Sequence, residues 1–139
     1  MTASQKQYIR MSFPVIAEVL GPVALLFYGR LFQLDPSLKP MFRSDIEVQG
    51  RKLMDMLTAV VKHLDDFERL EGTLRALGQR HAAYGVRPEH YDTVQRAFLW
   101  ALGQTLDVEF YPEVRAAWKS VLTEVGDVMK AGAAMCDGS

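Results

Sequence analysis

Along almost the whole chain apolar residues return at every third or fourth position, and prolines cut that run into segments. A period of three to four is that of one helix face, whereas a half-buried strand alternates with period two. Few stretches here alternate, so strands are not expected. Pro36 follows Asp35, Pro88 follows Arg87, Pro112 follows Tyr111 and Pro22 follows Gly21. Each suits the first turn of a helix, where the missing N–H has no intrahelical partner to lose. Pro14 falls inside the first run and predicts a kink or irregularity there. Gly85, after Tyr84, reads as a left-handed helix stop. The predicted helices are 4–19, 21–34, a short one at 36–42, then 45–64, 67–84, 88–107 and 112–132, with short connections. The fold class is therefore all-α, with six or seven helices. Their unequal lengths, and the short piece at 36–42, argue against a regular four-helix bundle.

A chain of 139 residues suits one domain, 1–139, with a small-residue tail from about 133. Folding at this length buries roughly two-thirds of the unfolded surface, so a core is available. Apolar residues make up 49% and charged residues 24%, the balance of a soluble globular protein. Sixteen basic and seventeen acidic residues leave a net charge of -1, which offers no attraction to nucleic acid or to an anionic membrane. The single cysteine, Cys136, cannot form an intramolecular disulfide, so the fold needs no oxidising compartment. The N-terminus MTASQKQYIR lacks an apolar signal segment, and no stretch is long enough to span a bilayer. A cytoplasmic location is the expectation.

Polar residues on the apolar stripes carry the functional signal. In 67–84 the stripe runs Phe67, Leu70, Leu74, Leu77, His81 and Tyr84, which aims His81 where the leucines point. In 45–64 it runs Ile46, Gln49, Leu53, Leu57, Val60 and Leu64, with Gln49 the intruder. In 21–34 it runs Leu25, Tyr28, Leu31 and Phe32, and Tyr28 carries a hydroxyl inward. Three polar groups thus enter one core from three helices. Each costs on the order of 1–3 kcal/mol if left without a partner.

A lone histidine on an apolar face is more often a hydrogen-bonded core residue than a ligand. A buried tyrosine usually bonds a nearby carbonyl. The chain has no His-x-x-x-His, no paired cysteines and no Glu-x-x-His, so a metal site built from protein alone is not indicated. One inward histidine suits a metal whose other ligands come from elsewhere, and haem is that case. His63 lies fourteen residues beyond Gln49, ~21 Å along a helix, and is expected on a solvated face. His90 falls off the Tyr91–Val94–Phe98–Ala101 stripe and is expected at the surface.

These residues resemble a known family. LLFYGRLFQLDPSLKPMF, residues 25–42, is similar to the second and third helices of a globin, with a Leu-Phe-x-x-x-Pro-x-x-x-x-x-Phe pattern ending at Phe42. RHAAYGVRPEHYDTV, residues 80–94, resembles the proximal segment of bacterial single-domain globins and of flavohaemoglobin globin domains. The likeness runs from about residue 4 to 132. Tyr28 to Phe42 is 14 residues and Gln49 to His81 is 32, and both fit the bacterial branch. Gln49 comes only seven positions after Phe42, so the fourth globin helix is expected to be absent.

The resemblance implies a globin fold around haem b, with His81 as the proximal iron ligand. It implies that Phe42 stacks on the porphyrin, that Tyr28 and Gln49 form the distal pair, and that Leu53 walls the gas site. Leu57, Leu77, Val86, Tyr91, Val94 and Phe98 are the further haem contacts it suggests. The outer N–H of His81 is expected to bond a carbonyl near Leu77 or the Tyr91 hydroxyl. One departure stands out: Ala133 occupies the position where the flavohaemoglobin branch has a glutamate bonding the tyrosine equivalent to Tyr91. No fused reductase is expected, so turnover calls for an external electron donor.

Two hydrogen-bond donors over a polarised gas imply tight O2 binding with little effect on CO. A charge-assisted bond is worth about 1.5–3 kcal/mol, or roughly ten- to a hundredfold in affinity. The leading expectation is a haem globin that binds O2 tightly and converts NO and O2 to nitrate with a separate reductase. The alternative is a gas or redox sensor acting through a protein partner. A globin-like scaffold without haem is a third, and His81 together with Tyr28 and Gln49 argues against it.

Overall fold

The structure, a computed structural model, describes residues 1–42 and 45–137. They form six α-helices: α1 Ala3–Ala17, α2 Leu20–Leu34, α3 Ile46–Lys62, α4 Glu71–Ala83, α5 Pro88–Leu106 and α6 Pro112–Asp137. Short 3-10 turns at Pro36–Met41, Phe67–Leu70 and Asp107–Glu109 join them. No strand occurs among the described residues, and no helix lies between Phe42 and α3 among them.

Local chemistry sets several helix starts. The Thr2 hydroxyl accepts from Gln5 N–H at 3.1 Å while the Gln5 side chain accepts from Thr2 N–H at 3.0 Å. This reciprocal pair satisfies two N–H groups that have no intrahelical acceptor. Asp45 caps α3 by accepting from Glu47 N–H. Pro14 does lie inside α1, which ends three residues later, and the chain then bends by 100° into α2. The segment expected as one helix over 67–84 begins as a 3-10 turn and becomes α-helical only at Glu71. The 36–42 piece is likewise 3-10, and α6 runs five residues past its expected end at 132. No single described helix is long and apolar enough to cross a membrane.

The helices pack in pairs, most extensively α4 on α6 and α2 on α5, with α1 across α6 and α3 across α2. Ile9, Ile16, Leu31, Leu57, Leu102 and Trp118 are fully buried where they meet. Trp118 Nε1 donates to Ser12 Oγ at 2.9 Å, and Ser12 donates onward to the Tyr8 carbonyl at 2.8 Å. Burying these polar atoms therefore leaves neither unpaired, and α1 is pinned to α6.

Two stripe assignments need correction. Leu25 is 65% exposed, because the buried arc of α2 is Val23, Ala24, Phe27, Tyr28 and Leu31. Periodicity gave the face its spacing but placed its centre too far from Val23 and Phe27. Tyr84 is 64% exposed, because α4 ends at Ala83 and the helical progression stops before it reaches the core side.

Candidate functional site

α2 carries Tyr28 into an aromatic cluster. Its ring lies 5.4 Å from Phe42 and 6.2 Å from Phe32, and Phe32 and Phe42 are themselves 5.4 Å apart. With Phe27 4.8 Å away on a third side, packing fixes the ring, and burial pushes the phenol up to about 12. Tyr28 is therefore a hydroxyl donor at any physiological pH, and its hydroxyl has no protein partner among the described residues.

α3 reaches α2 at a glycine. A Cβ placed on Gly50 would sit 2.9 Å from the Ala24 Cβ, so the two helices touch one turn before Tyr28. Gln49 adjoins that contact, half-buried, with no hydrogen bond to its side chain among the described residues. Leu53, one turn on, is half-buried against the core, whereas Leu57 is fully buried. The inner face of α3 thus opens towards its N-terminal end.

α4 repeats that gradient. Leu74 is buried, and Leu77 and His81 are only half-buried. His81 Nδ1 bonds the Leu77 carbonyl at 2.8 Å, which settles the two expected acceptors in favour of Leu77. The proton therefore sits on Nδ1, and Nε2 carries the free lone pair. Burial holds the imidazole below its usual titration range, with the Leu77 bond opposing and the neighbouring Arg80 assisting. A neutral ring with Nδ1 anchored and Nε2 unbonded is the form that ligates a metal.

The segment after His81 is fixed as firmly. Gly85 has φ of 97°, as the left-handed stop requires. Gly85 N–H donates to the Ala82 carbonyl and Val86 N–H to the His81 carbonyl, both at 3.0 Å. This double closure ties Val86 to the turn that bears His81.

α5 supplies Tyr91, Val94 and Phe98. Tyr91 and Val94 are half-buried, and Phe98 lies wholly in the core, 5.7 Å from the Phe27 ring. The Tyr91 hydroxyl is buried without a hydrogen-bond partner, and burial raises its titration range. Its neighbour on α6 is Gly126, and no carboxylate reaches it among the described residues.

His90 is not at the surface: only 3% of it is exposed. α5 begins at Pro88, and its first N–H groups lack intrahelical acceptors. His90 Nδ1 accepts from Arg87 N–H at 2.9 Å, which folds the ring back under the first turn, 3.9 Å from an Asp35 oxygen. His63 is half-buried rather than solvated. It closes α3 and pairs with Asp66 at 2.9 Å. Both histidines are thus engaged at helix ends, whereas Nε2 of His81 is uncommitted.

The described residues contain no group of three His, Cys, Asp or Glu side chains able to hold a metal. His81, with Nδ1 anchored and Nε2 unbonded, fits an iron that brings its own ring of nitrogens and takes one imidazole. Phe42, Leu53, Leu77 and Val94 are half-buried and packed against the core, the apolar character that a haem ring calls for.

The family model described as Globin matches residues 25–129. The chain belongs to the globin family, and its haem and small-gas chemistry follow from that membership. Neuroglobin of Tetraodon nigroviridis is 28% identical over 146 aligned positions, covering 95% of this chain and 92% of the relative. Neuroglobin-1 and neuroglobin-2 of Oncorhynchus mykiss are similar to the same degree, each 28% identical with the same coverage. The finer likeness to bacterial single-domain globins rests on the quoted motifs and not on these relatives.

Proposed function

We propose that the chain holds haem b through His81 Nε2, binds O2 tightly beneath Tyr28 and Gln49, and consumes NO as a dioxygenase with electrons from a separate donor. The observations that carry this reading are a His81 anchored through Nδ1 with Nε2 unbonded, and a buried Tyr28 ring whose hydroxyl makes no hydrogen bond among the described residues. Bound haem iron would supply the gas site and the redox chemistry that takes O2 and NO to nitrate.

The protein's own part is positional. Leu77 orients the imidazole, and the Gly85 turn keeps Val86 beside it. Phe32 and Phe42 hold the Tyr28 ring so that its O–H is aimed before any ligand arrives. Gln49 adds two N–H donors from α3. Leu53 keeps water from solvating the charge those donors meet. Tyr91 lacks the carboxylate that would make the proximal histidine more electron-donating, so the reductive half of the cycle gets no help from that side.

Substituting Tyr28 by phenylalanine should leave the aromatic packing in place and remove one donor. Stopped-flow O2 release should then speed up about tenfold or more, since ~1.4 kcal/mol is a factor of ten, while CO release barely changes. Equal acceleration of both gases would make the effect steric and remove Tyr28 from the proposed role.

The dioxygenase reading is tested by adding one equivalent of NO to the reduced, aerated protein and assaying nitrate. One nitrate per haem is expected within the first turnover, with sustained turnover only when a reductase is supplied. Failure to form nitrate would favour the sensor reading, in which a protein partner takes up the signal.

A further inference from the structure

A cavity of about 240 Å³ is lined by Arg30, Leu34, Arg96, Leu99, Trp100 and Arg115. α2, α5 and α6 each contribute one arginine to it. Arg30 stands two residues beyond Tyr28, ~200° round the helix, so the cavity lies on the opposite side of α2 from the Tyr28 hydroxyl.

Among the described residues none of these three arginines forms an ion pair, whereas Arg10, Arg69, Arg75 and Arg87 all do. Arg30 is already arranged. Its guanidinium carbon lies 5.1 Å from the centre of the Trp100 ring, and Nη1 reaches Gln33 Oε1 at 3.4 Å. Its Nε is buried and has no acceptor. A donor withdrawn from water and left unpaired is costly, and three like charges round one concavity repel one another. Helix packing alone calls for neither.

We propose that this cavity binds a compact polyanion carrying phosphate or carboxylate groups. Planar guanidinium forks match those groups bidentately, and a stacked arginine loses little freedom on binding. Leu34, Leu99 and Trp100 give the site an apolar floor, the usual setting for a few converging charged groups. The volume falls below the ~300–1,000 Å³ typical of sites for drug-sized ligands, which selects an anion the size of pyrophosphate or citrate. Such an anion would bridge three helices and raise the melting temperature by mass action.

Titration calorimetry of the purified protein with pyrophosphate, and separately with citrate, at low ionic strength tests the site and shows which anion class it prefers. One saturable site per chain is expected for at least one of them, with a melting temperature that rises as that anion is added. Arg96→Ala and Arg115→Ala should each weaken binding about tenfold or more. Both side chains are exposed, so the variants should melt like the parent without anion. Arg69→Ala, which removes a charge elsewhere, should bind like the parent. Absence of saturable binding to both anions, or an equal loss for Arg69→Ala, overturns the proposal.

Discussion

Replacing His81 by alanine is expected to strip the purified protein of most of its haem and its Soret absorbance. Among the described residues the ring makes one hydrogen bond, to the Leu77 carbonyl, and that bond contributes about 1 kcal/mol. The variant should therefore fold, keep its helical circular dichroism, and lose haem for a reason other than collapse. Added imidazole, small enough to enter the space left behind, should restore part of the Soret band. His90→Ala is the informative contrast. His90 is the more deeply buried histidine, but its Nδ1 is committed to the Arg87 N–H. Its loss should cost about 1 kcal/mol of stability at the α5 cap and leave the spectrum unchanged. Retention of haem by His81→Ala, or its loss in His90→Ala, would move the iron ligand elsewhere.

That contrast also marks what sequence reveals here and what it hides. The inward placing of His81 was legible because it stands among leucines at helical spacing and precedes a glycine stop, and both cues are local. The all-α class was legible for the same reason, from periodic runs broken by first-turn prolines, whereas the globin fold was legible only through the resemblance of residues 25–42 and 80–94 to that family. The burial of His90 was not, because it depends on a side chain folding back to cap its own helix, and periodicity ignores caps. Leu25 is exposed because spacing fixes the width of an apolar stripe but not which neighbour it faces, and Tyr84 because periodicity does not show that α4 ends at Ala83. Ser12 and Trp118 lie 106 residues apart, and nothing local to either announces their bond. The Arg30, Arg96 and Arg115 cavity is of the same kind, each member reading as an ordinary helix charge until three helices are assembled.

Gly78 shows the same limit most sharply, and alanine there is expected to destabilise the protein by about 2 kcal/mol or more. At an open helical site glycine to alanine stabilises by up to about 1 kcal/mol, because alanine has less backbone freedom to lose. Gly78 is not such a site. A Cβ there would fall 1.9 Å from the Met129 carbonyl oxygen and 2.6 Å from its carbon, which are backbone atoms of α6. Gly132 answers from the other helix, its added Cβ 2.3 Å from the Arg75 carbonyl oxygen. Two glycines thus let α4 and α6 meet backbone to backbone. No rotamer change can relieve an overlap with backbone, so the helices must separate and the buried contacts of Leu74 and Met129 loosen. Steric cost therefore outweighs propensity, and the melting temperature should fall by roughly 5–10 °C. The disturbance also reaches the haem side. Leu77, whose carbonyl anchors His81, is the residue before Gly78, so Gly78→Ala should release haem faster than the parent does. Gly72→Ala supplies the control on the same helix. Nothing lies within 4 Å of its added Cβ, and it should be neutral or slightly stabilising. Thermal melts of the two variants side by side decide the matter: if both shift upward, α4 and α6 do not approach as closely as the glycine pair requires.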